Sequence, residues 1–90
     1  MLNFANVMDT PISIMLFDDN KRIRDSLSLI FSTYPFFDWK GAHMDATEVM
    51  DLMEIGAPDV VLMDIDMPFV GGIEATAAIR KKFPKQVIMM

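Results

Sequence analysis

Apolar positions in this chain fall into short solid runs separated by longer striped segments. The runs ISIMLF (Ile12 to Phe17) and VVLM (Val60 to Met63) contain almost nothing polar, which is the pattern of strands covered on both faces. After the first run, Asp18 to Lys21 reads as a turn in which Asp19 or Asn20 can cap a helix. In that helix Ile23, Leu27, Ile30 and Phe31 share one stripe, Lys21, Arg22, Arg24, Asp25 and Ser28 lie elsewhere, and the helix ends before Pro35. Phe36 to Ala42 is aromatic but interrupted by Asp38 and Lys40, which predicts an edge strand with one wetter side. Ala46, Val49, Met50 and Met53 at helical spacing predict a second helix over Asp45 to Glu54, with Gly56 just past its end and Pro58 blocking continuation. Met67 to Gly72 reads as a loop, Ile73 to Phe83 as a third helix and Gln86 to Met90 as a fourth strand. Met1 to Thr10 shows no sustained period, so the chain divides into a lead-in over residues 1–10 and a domain over 11–90. Strand and helix alternate throughout, the order of a doubly wound parallel α/β sheet with right-handed crossovers.

Composition narrows this picture. Ninety residues make one domain, which buries roughly 60 to 65% of its unfolded surface, and a hydrophobic content of 52% supplies the core. A net charge of −5, with no basic run longer than Arg80, Lys81 and Lys82, excludes direct nucleic-acid binding. Those three cations suit the solvated end of a helix. Without cysteine there is neither a disulfide framework nor a thiolate metal site, which fits a reducing compartment. No apolar run approaches the span of about 18 residues that crosses a bilayer, and the first residues do not show the basic region followed by an apolar one that a secretory leader needs. The expectation is a cytoplasmic protein with no membrane contact. The ten methionines read as packing filler. Trp39, Phe36 and Phe37 read as core or edge covering, and His43, the single histidine, as a surface residue.

Three carboxylates give the chain its candidate chemistry. Asp18 and Asp19 close the first apolar run and Asp64 closes the third, so all three fall at the carboxyl edge of the expected sheet, where open α/β folds build their sites. Acids meeting there either raise a pKa or hold a cation, and the cation is the preferred reading.

The segments LFDDN, VVLMDIDMP, GGIEA and VIMM, in this order and at this separation, resemble the receiver (CheY-like) domain of bacterial two-component response regulators. The resemblance runs from about Ile12 to Met90. MDIDMP followed by GGIEATAAIRKKFP is similar to receivers placed ahead of helix-turn-helix output domains. It implies a flavodoxin/CheY-type sheet of strand order 2-1-3-4, lacking the fifth strand and last two helices of the family. It implies Asp64 as phosphoacceptor from a sensor histidine kinase, and Mg²⁺ held by Asp19, Asp64 and the backbone carbonyl of Asp66, with Asp18 acting mainly through water. The output domain, expected to be DNA-binding and to regulate transcription, is absent from these residues. The family's hydroxyl residue after the fourth strand and lysine after the fifth lie beyond Met90, so impaired switching is expected. Phe69 and Gly71 stand where glycine and an acid are frequent in the family. Apolar surface left open by the missing elements predicts a homodimer.

Two rivals belong beside this one. MDIDM after an apolar strand also resembles the nucleophile motif of haloacid-dehalogenase-like phosphatases, with Asp64 attacking and Asp66 as general acid. Against it, Pro68 stands where that motif has Thr or Val, and an acidic pair lies upstream, at the end of the first strand. The other rival is a dimerising fragment that folds without signalling.

Overall fold

β1 (Ile12–Phe17) runs through the middle of a parallel sheet, flanked by β2 (Phe37–His43) and β3 (Val60–Met63), with β4 (Val87–Met89) outside β3. The computed structural model describes residues 10–90, so all but the last residue of the expected lead-in lies outside the described residues. The strand order β2-β1-β3-β4 is the one the resemblance implies, and the parallel pairing is the one the alternation of strand and helix predicts. Three helices fill the crossovers: α1 (Lys21–Thr33), α2 (Val49–Gly56) and α3 (Gly72–Lys82). In the register, Phe17 stands level with His43 on one side and Met63 on the other. The β1–β2 ladder slips once: Ile14 pairs with Trp39 and Leu16 with Ala42, so Lys40 and Gly41 together oppose Met15. Gly41 takes φ +107° there, a bulge conformation open to a residue without Cβ.

Period-two alternation divides the strands between two faces. Met15 and Phe17 of β1 and Val61 and Met63 of β3 point to one face, where they meet Val49 and Met53 of α2, Ala75 and Ile79 of α3, and Met67. Phe17, Val61, Ala75 and Ile79 are fully enclosed. An ion pair between Lys82 and Glu54 links the two helices at the surface. Among the described residues the opposite face carries only α1, which has no buried residue; Ile23, Leu29 and Ile30 of that helix are 41%, 70% and 47% exposed. The stripe expected from the sequence exists but is half covered. Phe31 anchors it, meeting Phe37 edge-on at 5.0 Å and stacking on Trp39 at 5.5 Å, while Phe36 stays exposed. Because Ile88 packs against the core, Val87 and Met89 turn to the α1 side, where both are more than half exposed.

Element boundaries shift where a side chain competes with the backbone. α2 begins at Val49 rather than Asp45 because the Asp45 carboxylate accepts the Thr47 N–H at 3.0 Å and its hydroxyl at 2.8 Å, closing a turn of its own. The helix then runs on to Gly56, and Ala57, left-handed at φ 42°, caps it by donating to the Met53 carbonyl. β2 begins at Phe37 and extends to His43, one residue later at each end than the sequence pattern suggests. His43, expected at the surface, is half-buried. Its ring lies 5.3 Å from Phe17 and its Nε2 is buried without a hydrogen-bond partner among the described residues; burial pushes its pKa down, against the charges of Glu48 and Asp45.

Candidate functional site

Backbone pairing brings the acids together. Asp18 and Asp64 follow Phe17 and Met63, which are level in adjacent parallel strands. The Asp64 N–H donates to the Phe17 carbonyl and the Asp18 N–H to the His43 carbonyl, each at 2.9 Å. Asp18 is almost buried at 9% exposure, Asp64 is half-buried and Asp19 is exposed. One carboxylate oxygen from each of Asp18, Asp19 and Asp64 lies within 4.8 Å of the others.

The turn that carries two of them is held by its own polar groups. Asp18 Oδ1 accepts the Asn20 N–H at 2.8 Å. Asn20, not Asp19, is the cap of α1: its Oδ1 accepts the N–H groups of Arg22 and Ile23. Asp19 is thereby left to the cluster. Partial burial, and then the charge of Asp18, raise the Asp64 carboxyl above the ordinary carboxylate range. An N–H of Asp66 bonded to it works the other way, while Asp19 adds to the rise. The side chain of Asp66 is exposed.

Behind Asp64 the chain is tight. Gly72, the first residue of α3, donates its N–H to the Ile65 carbonyl at 2.8 Å, and a Cβ on it would sit 2.0 Å from the Asp64 carbonyl oxygen. The helix can back onto the acid loop this closely only because residue 72 has no side chain. On the same loop Phe69 is left-handed at φ 69° and 83% exposed. This is the position where the resembled family often has glycine.

Oxygen donors alone, two of them at least partly accessible, suit a hard divalent cation. An octahedral ion with bonds of about 2.1 Å spaces its ligands by no more than about 4.2 Å, close to the spread of the three carboxylates. A cleft of about 360 Å³ opens beside them, bounded by Asp18, Asp64, Leu16, Leu27, Leu62 and Met89 among others. One neighbour escaped the sequence pattern. Arg24, placed there on the polar side of α1, turns back and donates from Nη1 to the Asp18 carbonyl at 3.0 Å. Its position one turn into a helix that opens on an acidic loop was the signal available.

A parallel sheet of this order, with acids converging at its carboxyl edge, defines a CheY-like receiver fold. Residues 14–90 match the family of the response regulator receiver domain, and the chain belongs to it. Over 84 residues the chain is 32% identical to the transcriptional regulatory protein DegU of Brevibacillus brevis, covering 93% of this chain and 36% of that protein. Over 82 residues it is 37% identical to a protein-glutamate methylesterase/protein-glutamine glutaminase of Thermotoga maritima, covering 91% and 24%. The crystal structure of the response regulator domain of Thermotoga maritima CheB matches with a TM-score of 0.79 at 36% identity, over 89% of this chain and 60% of that one. A LuxR-family two-component response regulator from Aurantimonas matches at 0.77 and 33%, over 88% and 56%. The chain therefore spans about a third or less of these two curated relatives and somewhat over half of these receiver structures. Among the described residues no helix is long and apolar enough to cross a membrane.

Proposed function

We propose that Asp64 is the phosphoacceptor of a two-component signalling protein, taking its phosphoryl group from a phosphohistidine on a sensor histidine kinase. A carboxylate oxygen of Asp64 forms the new O–P bond, the P–N bond breaks, and the histidine nitrogen keeps the electron pair. The observation that carries this is the convergence of Asp18, Asp19 and Asp64 from two neighbouring parallel strands in a chain of the receiver family.

Asp19, Asp64 and the Asp66 backbone carbonyl would hold Mg²⁺ directly, with Asp18 reaching it mainly through water. When bound, the ion supplies positive charge against both the acid cluster and the incoming phosphoryl oxygens. Asp64 meanwhile must be ionised to attack, and the Asp66 N–H bonded to its carboxylate favours that form. Asn20 holds Asp18, and Gly72 lets the loop close behind the nucleophile.

The domain acts by being modified, not by turning over a substrate. It works in the cytoplasm on an output domain, for which transcription control is the reading favoured by similarity to a transcriptional regulatory protein. The open α1 face and the β4 edge suit a second copy of the chain as their cover.

Incubation with Mg²⁺ and acetyl phosphate, read by intact mass, tests the nucleophile. The wild-type chain gains one phosphoryl group that hydroxylamine removes, and Asp64→Asn gains none. Equal labelling of Asp64→Asn would overturn the assignment. Steady hydrolysis of a small phosphate ester would favour a phosphatase using Asp64 and Asp66, and folding without any labelling would favour an assembly fragment.

A further inference from the structure

We propose that Arg24 is a positioning residue for the acid site, holding the Asp18–Asp19 peptide so that the Asp19 carboxylate is presented to the cation. This rests on the reading of the three acids as a metal and phosphoryl site. Asp18 is fixed at three atoms: its N–H donates to the His43 carbonyl, its Oδ1 accepts the Asn20 N–H, and its carbonyl accepts Arg24 Nη1 at 3.0 Å. That carbonyl belongs to the planar peptide that leads into Asp19. Fixing its direction fixes where the Asp19 side chain leaves the turn. Asp19 is exposed, and its carboxylate meets that of Asp64, so its placement depends on the backbone that carries it.

Arg24 is well built for such a hold. It is partly buried, and it grips the acidic turn twice: its own N–H donates to the Asn20 carbonyl at 3.0 Å, and its guanidinium reaches back six residues to Asp18. The rigid planar fork of arginine keeps such a contact in one direction, which the flexible ammonium of lysine does not.

Charge alone predicts the opposite behaviour. A guanidinium beside the acids repels a divalent cation, so a purely electrostatic Arg24 weakens Mg²⁺ binding and its removal tightens it. A positioning Arg24 strengthens binding and its removal loosens it. The sign of one measurement separates the two.

The test is Mg²⁺ titration by calorimetry on the 90-residue chain, comparing wild type, Arg24→Met and Arg24→Lys. A parallel measurement follows acetyl phosphate labelling across Mg²⁺ concentration. Loss of a contact that orients a metal ligand costs about tenfold or more in affinity, so Arg24→Met should raise the Mg²⁺ Kd by about tenfold. Arg24→Lys should fall between Arg24→Met and wild type. Half-saturating Mg²⁺ for labelling should rise with the Kd, while the labelling rate at saturating Mg²⁺ stays near wild type. Unchanged or tighter Mg²⁺ binding in the variants would overturn the role of Arg24 while leaving the phosphoacceptor reading intact. If Arg24→Met fails to fold, Arg24→Lys alone decides, and unchanged binding by it sinks the proposal. A wild-type chain that neither binds Mg²⁺ nor takes a phosphoryl group would overturn both readings.

Discussion

Asp64 is harder to ionise in the folded protein than in the unfolded chain, because partial burial and the charge of Asp18 oppose its negative form. The folded state then holds its proton more tightly, and stability falls as pH rises past the ordinary value of 3.8 through the higher folded value. Above that window the cost is fully present; below 3.8 it is absent. Asp64→Asn should therefore raise the melting temperature of the metal-free chain at pH 7, with the gain fading as pH drops toward 3.8. A gain that does not vary with pH would show that the acid cluster is not its source. Phe69 makes a second residue-scale case. A non-glycine side chain in the left-handed region costs about 1–2 kcal/mol, while glycine adds about 0.5–1 kcal/mol of unfolded-chain entropy. Phe69→Gly should accordingly gain roughly 0.5–1 kcal/mol in urea unfolding; a loss would mean that the exposed ring makes a stabilising contact. At this scale the three acids were legible as strand-ending carboxylates, since an apolar run that stops on an acid shows itself in the sequence. The inward turn of Arg24 and the burial of the His43 Nε2 were not. Both depend on which neighbour the folded chain places beside them.

At the scale of elements, β1, β3 and the helices were legible because their periods are plain. The start of α2 was not, because Ala46 keeps the helical spacing while the Asp45 side chain closes a separate turn over Thr47. The amphipathic stripe of α1 was readable, but its degree of cover was not, since stripe width does not say what lies opposite. The close approach of the start of α3 to the acid loop after β3 depends on a single position. With a Cβ on residue 72 only 2.0 Å from the Asp64 carbonyl oxygen, Gly72→Ala must push the helix start or the acid loop aside. Since the neighbour is backbone and not a flexible side chain, the cost should be about 3 kcal/mol or more, measured as a lowered urea midpoint. Stability within about 0.5 kcal/mol of wild type would mean that the loop and helix do not approach as closely as described.

Over the whole molecule, a parallel sheet with right-handed crossovers was legible from strands that alternate with helices, whereas the order β2-β1-β3-β4 was legible only through the resemblance, because alternation alone permits several orders. Its two faces differ. One is packed by α2 and α3; the other leaves Ile23, Ile30, Val87 and Met89 between 41% and 59% exposed beside an open strand edge. The 90-residue chain should self-associate at micromolar concentration, and sedimentation as a single folded monomer would contradict this. Parallel, level placement of β1 and β3 is what joins fold to function, because it alone brings Asp18, Asp19 and Asp64 to one point. Titration with Mn²⁺ followed by amide NMR tests that placement most directly. Amide signals of residues 18–20 and 64–66 should broaden together, along one saturation curve that Mg²⁺ reverses. Broadening at only one of the two segments, or separate curves for the two, would contradict a shared site.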